Sequence, residues 1–321
     1  MYYTVRHTTI FRYSSPITES IMEVRLQPRS EGSQLCLEFR LSTSPMAQIY
    51  NYRGENGNWV HHFDVPNRHT HLTIKAEAMV EVRPPPALPE SLEPTAWDEM
   101  DALTADDEYW ESLRPSRFTQ PGELLSALIA ELQIQRRADP LTVVKDISTA
   151  VYTTFDYAKQ TTRVHSPIDD ALRIRRGVCQ DFAHIMIALV RFVGIPCRYV
   201  SGYLFHQRNH VDRSIPGATH AWVEAMMPGI GWVGFDPTNN TLAGERHIRV
   251  AVGRDYADVP PTHGIFRGKA ESELSVNVLV YPTELPPSSA DQPLETDWTP
   301  EPQKMYETEE GSYFQQVAEQ Q

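Results

Sequence analysis

Three cysteines in 321 residues, Cys36, Cys179 and Cys197, are too few and too unevenly spaced for a disulfide framework or a CxxC-type zinc site. Free thiols in a reducing compartment are the expectation. No stretch approaches the roughly 18–20 apolar residues of a membrane span, and the opening MYYTVRHTTIFRYSS lacks the apolar core of a signal peptide. A cytoplasmic protein with no membrane partner is therefore expected. Basic residues are scarce as well: 29 Lys and Arg against 42 Asp and Glu leave a formal net charge of −13. Binding to a phosphate backbone needs clustered Lys and Arg on one face, so nucleic acid is not the expected partner. EF-hand and P-loop patterns are missing, so nothing in the sequence demands calcium or nucleotide, and no cofactor is expected.

What is present is ordinary for a globular chain: 40% hydrophobic and 22% charged residues can bury a real core, and 321 residues suggest two domains. Residues 1–83 alternate apolar and polar positions in short runs, such as His71-Leu72-Thr73-Ile74-Lys75-Ala76, separated by turns such as Gly54-Glu55-Asn56-Gly57-Asn58. This predicts an N-terminal antiparallel β domain. Residues 84–120 open with Pro84-Pro85-Pro86 and continue through an acidic run, Glu90 to Glu111, without Lys or Arg, so a solvated linker is expected. From Pro121 the period becomes helical: Leu124, Leu125, Leu128, Ile129 and Leu132 mark one helix, and Val143, Val144, Ile147, Val151 and Tyr152 the next. A third starts with Ser166 as N-cap and Pro167 at its first position, and a fourth, mostly buried, runs over 179–192. Strands follow at 197–205, 220–226, 232–236, 248–252 and 274–281. Residues 121–284 thus read as an α+β unit with helices packed on an antiparallel sheet, and 285–321 as an acidic, disordered tail.

Chemistry concentrates in two places. Cys179 opens the fourth helix directly after Arg176-Gly177-Val178, where unpaired N–H groups and the helix dipole favour an anion, so its thiol can become a thiolate. Cys36 and Cys197 fit a small buried apolar role. His220 and Asp236 occupy the two arms of a hairpin around Pro228-Gly229-Ile230-Gly231. If the loop centres on Pro228, His220 pairs directly with Asp236, and the carboxylate can hold the imidazole's tautomer. A nucleophile, a base and a group that orients the base are then available. Each residue alone has a plain structural explanation: a buried thiol, a hydrogen-bonded strand histidine, a turn aspartate before Pro237. Paired histidines at 61/62 and 69/71 read as exposed loop and strand positions, because no Cys or carboxylate completes a ligand set.

Taken together, four ordered segments resemble the transglutaminase-like superfamily: Gly177-Val178-Cys179-Gln180-Asp181-Phe182-Ala183, Gly194-Ile195-Pro196-Cys197-Arg198-Tyr199-Val200-Ser201-Gly202-Tyr203, Thr219-His220-Ala221-Trp222-Val223-Glu224, and Gly231-Trp232-Val233-Gly234-Phe235-Asp236-Pro237-Thr238. The likeness is to the bacterial branch of transglutaminase-like cysteine proteases and spans roughly residues 1–282, from Tyr3-Thr4-Val5-Arg6-His7 through Gly253-Arg254-Asp255-Tyr256-Ala257-Asp258-Val259-Pro260. It implies a papain-like core in which Cys179 attacks a carboxamide or peptide carbonyl, His220 shuttles the proton and Asp236 holds His220. A peptide or protein is then the substrate partner. Tyr157 is a candidate side-chain donor to the oxyanion, alongside backbone N–H groups near Cys179; a half-buried structural aromatic is the competing explanation. The glycine-punctuated stretches at 253–256 and 264–268 are expected to border the cleft or to form plain turns. Hydrolysis is favoured over transamidation. The alternatives are a thioester-dependent N-acyltransferase, resembling the arylamine N-acetyltransferases, and a non-catalytic binding protein on the same fold.

Overall fold

The computed structural model describes residues 1–105, 107–207 and 212–283, with the backbone of Gln303–Lys304 and Tyr313–Val317. The N-terminal strands are β1 (Tyr2–Ile17), β2 (Glu19–Val24), β3 (Gln34–Ser44), β4 (Ile49–Arg53), β5 (Trp59–Val65) and β6 (His69–Val82). Helices α1 (Ala96–Thr104), α2 (Trp110–Leu113), α3 (Glu123–Glu131) and α4 (Pro140–Thr154) follow. Next come β7 (Asp156–Tyr157), α5 (Ile168–Ile174), β8 (Arg176–Gly177) and α6 (Cys179–Phe192). The remaining strands are β9 (Cys197–Leu204), β10 (His220–Met227), β11 (Gly231–Asp236), β12 (Thr241–Leu242), β13 (His247–Gly253), β14 (Thr262–Arg267), β15 (Ser272–Thr283), β16 (Gln303–Lys304) and β17 (Tyr313–Val317).

Strand β1 sets the architecture. At roughly 3.3 Å per residue it is about 50 Å long, and its odd-numbered side chains, Tyr3 to Tyr13, are buried on one face along nearly the whole length. The near half of that face, Tyr3 and Val5 with Val80 and Val82 of β6, packs on Tyr203 and Ile248. The far half, Phe11 and Tyr13 with Leu72 and Ile74, packs on Met22, Val24, Phe63 and Phe266. One long sheet, ordered β16-β15-β1-β6-β3, therefore carries two smaller ones side by side: β17-β14-β2-β5-β4 and β12-β11-β10-β9-β13. The outer face of the last sheet takes the helices, with Ala221, Val223, Ala225 and Met227 of β10 packed against Phe182, Ile185, Met186 and Leu189 of α6 in one core.

The exposed edge of β13 is closed by two side-chain amides. Gln34 accepts from Arg249 N–H at 2.8 Å and donates to Arg249 O at 2.8 Å and to Arg29 O at 2.7 Å. Asn58 accepts from Val252 N–H at 2.9 Å and from Arg29 Nη1 at 2.7 Å, and donates to Val252 O at 2.8 Å. Both amides give the edge strand what a neighbouring strand would give it.

Several sequence expectations change. The strand expected over 274–281 lies in β15, and it pairs with β1 rather than completing the second unit's sheet. The stretch 264–268, expected as a loop, is mostly β14, paired with β2. Both return because β1 and β2 each have an open edge that a late strand satisfies. The segment 84–120 is no bare linker: its described acidic side chains face solvent, while Met100 and Phe118 are buried in the helical core and Leu88, Leu92 and Trp97 pack against it. Helix α5 begins one residue later than expected, with Pro167 at its N-cap, because the Ser166 hydroxyl accepts instead from Arg163 N–H at 3.1 Å. The disorder expected of 285–321 falls outside the described residues, apart from β16 and β17, whose backbones pair with β15 and β14. Among the described residues no helix is long and apolar enough to cross a membrane.

Replacing Asn58 with Ala leaves the Val252 N–H and C=O and an Arg29 donor without their partner, and each buried group left unsatisfied costs about 1–3 kcal/mol. The expected loss of unfolding free energy is about 2–5 kcal/mol, read by urea denaturation. A loss below about 0.5 kcal/mol, typical of an ordinary surface change, would mean that this amide does not hold β13 in place.

Candidate active site

Helix α6 is buried from Cys179 to Arg191 on every side, which its apolar sequence permits only if its few polar residues find partners. They do. His184 stacks on Phe118 at 5.2 Å and accepts from Tyr256 N–H at 3.1 Å, and burial lowers its pKa to about 4. Arg191 donates to Ser112 O, Cys197 O and Arg254 O. The 253–256 stretch therefore packs on the middle and C-terminal part of α6, in keeping with the plain structural turn that was one of its two expected roles.

At the other end of α6, Asp181 accepts from Val178 N–H at 2.8 Å and from the Thr162 hydroxyl at 2.6 Å. Burial pushes its carboxyl up to about 6, against the pull of those two hydrogen bonds. Gly177 is required here by space, since a Cβ would lie 2.5 Å from Asp181 Oδ2. The result is a tightly held turn that delivers Cys179, fully buried, to the first position of the helix.

The hairpin differs in register from the sequence expectation. Glu224 pairs with Gly234 and Met227 with Gly231, so the loop centres on Gly229 and not on Pro228. Each β10 residue meets a partner two positions further along β11 than expected. A two-residue slip preserves the face, so His220 and Asp236 become diagonal neighbours on one surface. His220 Nε2 lies 2.7 Å from Asp236 Oδ2. Beside them on β10 sits Trp222, fully buried, with His220 at 6.1 Å and His247 at 5.2 Å between ring centroids. Its indole fits because Gly202 has no side chain: a Cβ there would come within 2.6 Å of the ring and 2.2 Å of Ile248 O.

Asp236 has no solvent exposure, and its two oxygens divide the work. Oδ1 accepts from Thr238 N–H at 3.0 Å and Asn239 N–H at 3.2 Å. Oδ2 accepts from His220, from Asn239 Nδ2 at 2.7 Å and from His247 Nε2 at 3.2 Å. The turn role and the histidine-orienting role, weighed as alternatives from sequence, are both met by one side chain. Burial would raise the carboxyl's pKa, but the His220 charge and these hydrogen bonds overcome it and hold Asp236 well below the usual carboxylate range. For His220, burial works to lower the pKa, yet the Asp236 charge and hydrogen bond, aided by Cys179, bring it up to about 10. Since Nε2 is taken by Asp236, the interaction with the Cys179 thiol falls to Nδ1. That nitrogen meets no partner in close hydrogen-bond geometry, the looser contact common in unliganded thiol–imidazole pairs.

His247 and Asn239 were not singled out from sequence. His247 opens an apolar strand, and only the turn through β12 brings it onto Asp236. Its Nδ1 accepts from Gly244 N–H at 3.2 Å, so Nε2 carries the proton and donates to the carboxylate. Burial lowers its pKa despite that bond. Asn239 had a readable signal in the Asp236-Pro237-Thr238-Asn239 spacing of an Asx-type turn. Among the described residues, His220, Asp236 and His247 are the cluster close enough to share a metal ion. As ligands, however, both imidazoles would have to surrender the N–H groups that now satisfy the carboxylate.

Tyr157 lies beside the cysteine's approach, with β7 pairing Tyr157 to Gly177 of β8. Its hydroxyl is buried without a partner, and burial with the nearby Cys179 raises its pKa. The paired histidines differ from expectation: His61 and His69 are buried, His69 between Ser20 Oγ at 2.9 Å and Asn67 O at 2.6 Å.

A thiol at a buried helix start, near an imidazole–carboxylate pair on an adjoining antiparallel sheet, is the papain-like layout. Residues 129–237 match the profile described as the transglutaminase-like superfamily, and residues 3–81 that of the bacterial transglutaminase-like N-terminal region. The chain belongs to the transglutaminase-like superfamily. An uncharacterised protein of Mycobacterium leprae is 38% identical over 279 residues, covering 85% of this chain and 96% of that one. An uncharacterised protein of Mycobacterium tuberculosis is 35% identical over 305 residues, covering 88% and 93%. A protein-glutamine gamma-glutamyltransferase of Pseudomonas aeruginosa is 37% identical over 110 residues, which is 32% of this chain and 16% of that one. In fold, a candidate cysteine protease from Cytophaga hutchinsonii matches with a TM-score of 0.67 at 22% identity, over 99% of this chain and 98% of that one.

Two outcomes are expected from this geometry. Iodoacetamide at neutral pH should alkylate Cys179 first, because burial holds the Cys36 and Cys197 thiols up at about 11, where almost none is thiolate. Equal rates at all three, followed by peptide mass spectrometry, would remove the basis for a reactive Cys179. The second concerns stability. His220 is more basic folded than unfolded, so its contribution is complete below its unfolded pKa of roughly 6.5 and is lost as pH rises through the folded value. Wild type should therefore lose unfolding free energy between about pH 6.5 and 10, and His220→Gln should not show that part of the decline.

Proposed function

We propose that this protein is a thiol-dependent acyl-transfer enzyme acting on peptide or carboxamide bonds, with Cys179, His220 and Asp236 as its triad. The observation that carries the reading is the buried His220–Asp236 pair at 2.7 Å, with the buried Cys179 thiol near the imidazole's other nitrogen. Cys179 gives its proton to His220 Nδ1, and the thiolate sulfur attacks the carbonyl carbon. The C–S bond forms as the carbonyl becomes an oxyanion, which accepts hydrogen bonds from the N–H groups at the start of α6 and from the Tyr157 hydroxyl. As the carbonyl re-forms, the C–N bond breaks and His220 returns its proton to the leaving amine, leaving a thioester on Cys179. Asp236 stays ionised throughout and holds the imidazole.

An acceptor then resolves the thioester. Water loses a proton to His220 as its oxygen bonds the carbonyl carbon; the C–S bond then breaks and His220 returns the proton to the Cys179 sulfur, releasing the acid and the thiol. Hydrolysis needs no dedicated acceptor subsite, whereas transamidation must hold an amine against the thioester and exclude water; hydrolysis is the favoured outcome. The similarity of the core to a protein-glutamine gamma-glutamyltransferase supports transamidation as the second reading. A glutamine-containing peptide given with increasing primary amine separates them: release of acid should dominate, with a thioester on Cys179 trapped in single turnover. Predominant amide exchange at modest amine would select the second reading, and absence of any Cys179 adduct would reject both.

A further inference from the structure

The start of α6 has a charged wall that the proposed chemistry has not used. In the parallel pair β7–β8, Asp156 lies opposite Arg176 and Tyr157 opposite Gly177, and Ala158 N–H donates to Gly177 O at 2.9 Å. Asp156, Tyr157, Ala158 and Arg176, together with Arg213, line a cavity of about 440 Å³. One wall runs straight into the cysteine through Arg176-Gly177-Val178-Cys179. The other is fixed to the carboxylate: Arg213 N–H donates to Asn239 Oδ1 at 2.8 Å, and Asn239 donates to Asp236 at 2.7 Å. The cavity's lining is therefore joined to the cysteine by three residues of chain and to the carboxylate through Asn239.

Its charge is unbalanced. Arg213 uses Nη1 on Tyr152 O at 2.7 Å and Phe155 O at 3.1 Å, and its guanidinium lies 3.5 Å from the centre of the Tyr152 ring. Those bonds fix its direction without neutralising it, and no carboxylate among the described residues forms an ion pair with it. Arg176 is 58% exposed and its nearest carboxylate, Asp156, is 3.9 Å away and itself 79% exposed, a pairing of little strength in water. In the same lining, the Tyr157 hydroxyl is buried and unpartnered. On a chain of net charge −13 an anionic ligand is repelled by the molecule as a whole, so only a local concentration of positive charge can draw it to this position.

We infer that the cavity is the subsite for the acyl-donor segment and that it selects an acidic peptide, with a carboxylate one residue from the reacting carboxamide. Arg176 and Arg213 supply the charge, and Tyr157 offers a hydrogen bond to the bound segment. The inference rests on Cys179 as the attacking group, but its test does not need turnover. Two peptides, acetyl-Glu-Gln-Gly-amide and acetyl-Ala-Gln-Gly-amide, are titrated calorimetrically into the full-length Cys179→Ala protein at low salt. The acidic peptide should bind about fivefold or more tightly, a preference that shrinks as salt screens it. Arg176→Gln, at an exposed position, should reduce the preference to near parity, and Asp156→Asn should enlarge it. Equal affinity for the two peptides, no binding of the acidic one at millimolar concentration, or an unchanged preference in Arg176→Gln would each overturn the inference. Failure of the nucleophile reading shows separately, as the missing thioester on wild-type Cys179.

Discussion

A carboxylate with no access to water stays ionised only if the protein supplies the hydrogen bonds that water would have given. Asp236 receives five, from the backbone of Thr238 and Asn239 and from the side chains of Asn239, His220 and His247. Much of the surrounding structure follows from meeting that demand. The turn after β11 is closed by Oδ1, the loop before β10 is tied down through Asn239 to Arg213 and Ser214, and β13 must begin where His247 can reach. Each donor that serves the charge also limits where His220 can point. The imidazole is thus held by a network, and Asp236 would be costly to disturb for folding as well as for chemistry.

The thiol is brought to this network by a different kind of constraint. Helix α6 is apolar on almost every side and can lie only between the sheet and the other helices, so its first residue arrives buried and with little freedom. Gly177 and Asp181 shape the turn before it, and Gly202 leaves room for Trp222 behind the histidine. Small residues act here at points of close approach, where a single Cβ would collide with a carboxylate, an indole or a backbone carbonyl.

The N-terminal sheets serve the site at a distance. The long face of β1 supports the sheet that carries His220 and Asp236, and the amides of Gln34 and Asn58 close the β13 edge. Strands from both ends of the chain share these sheets, so the supporting part cannot be complete until β14 and β15 have returned to β2 and β1. The catalytic proposal and the cationic cavity beside it both depend on this scaffold, because the loop bearing Arg213 and the strand bearing Arg176 belong to different elements.

Local sequence was enough for features governed by nearest neighbours. Helix α6 begins at Cys179 as the apolar period and preceding Gly-Val indicate, β9 to β11 and β13 fall within a residue of their expected bounds, and the order of Cys, His and Asp motifs marks the family. Parity of the hairpin was legible too, since face depends only on counting by two; its register was not, because a three-residue loop centred on Gly229 and one centred on Pro228 place the same residues on the same side. What tertiary structure alone decided were contacts between segments with no local signature of each other: β15 against β1, Met100 and Phe118 against the helices, His247 against Asp236. The reason is physical. Periodicity reports which side of an element is dry, but an unpaired strand edge or a buried charge can be satisfied by any suitable donor that folding brings near, and only the packed chain says which one that is.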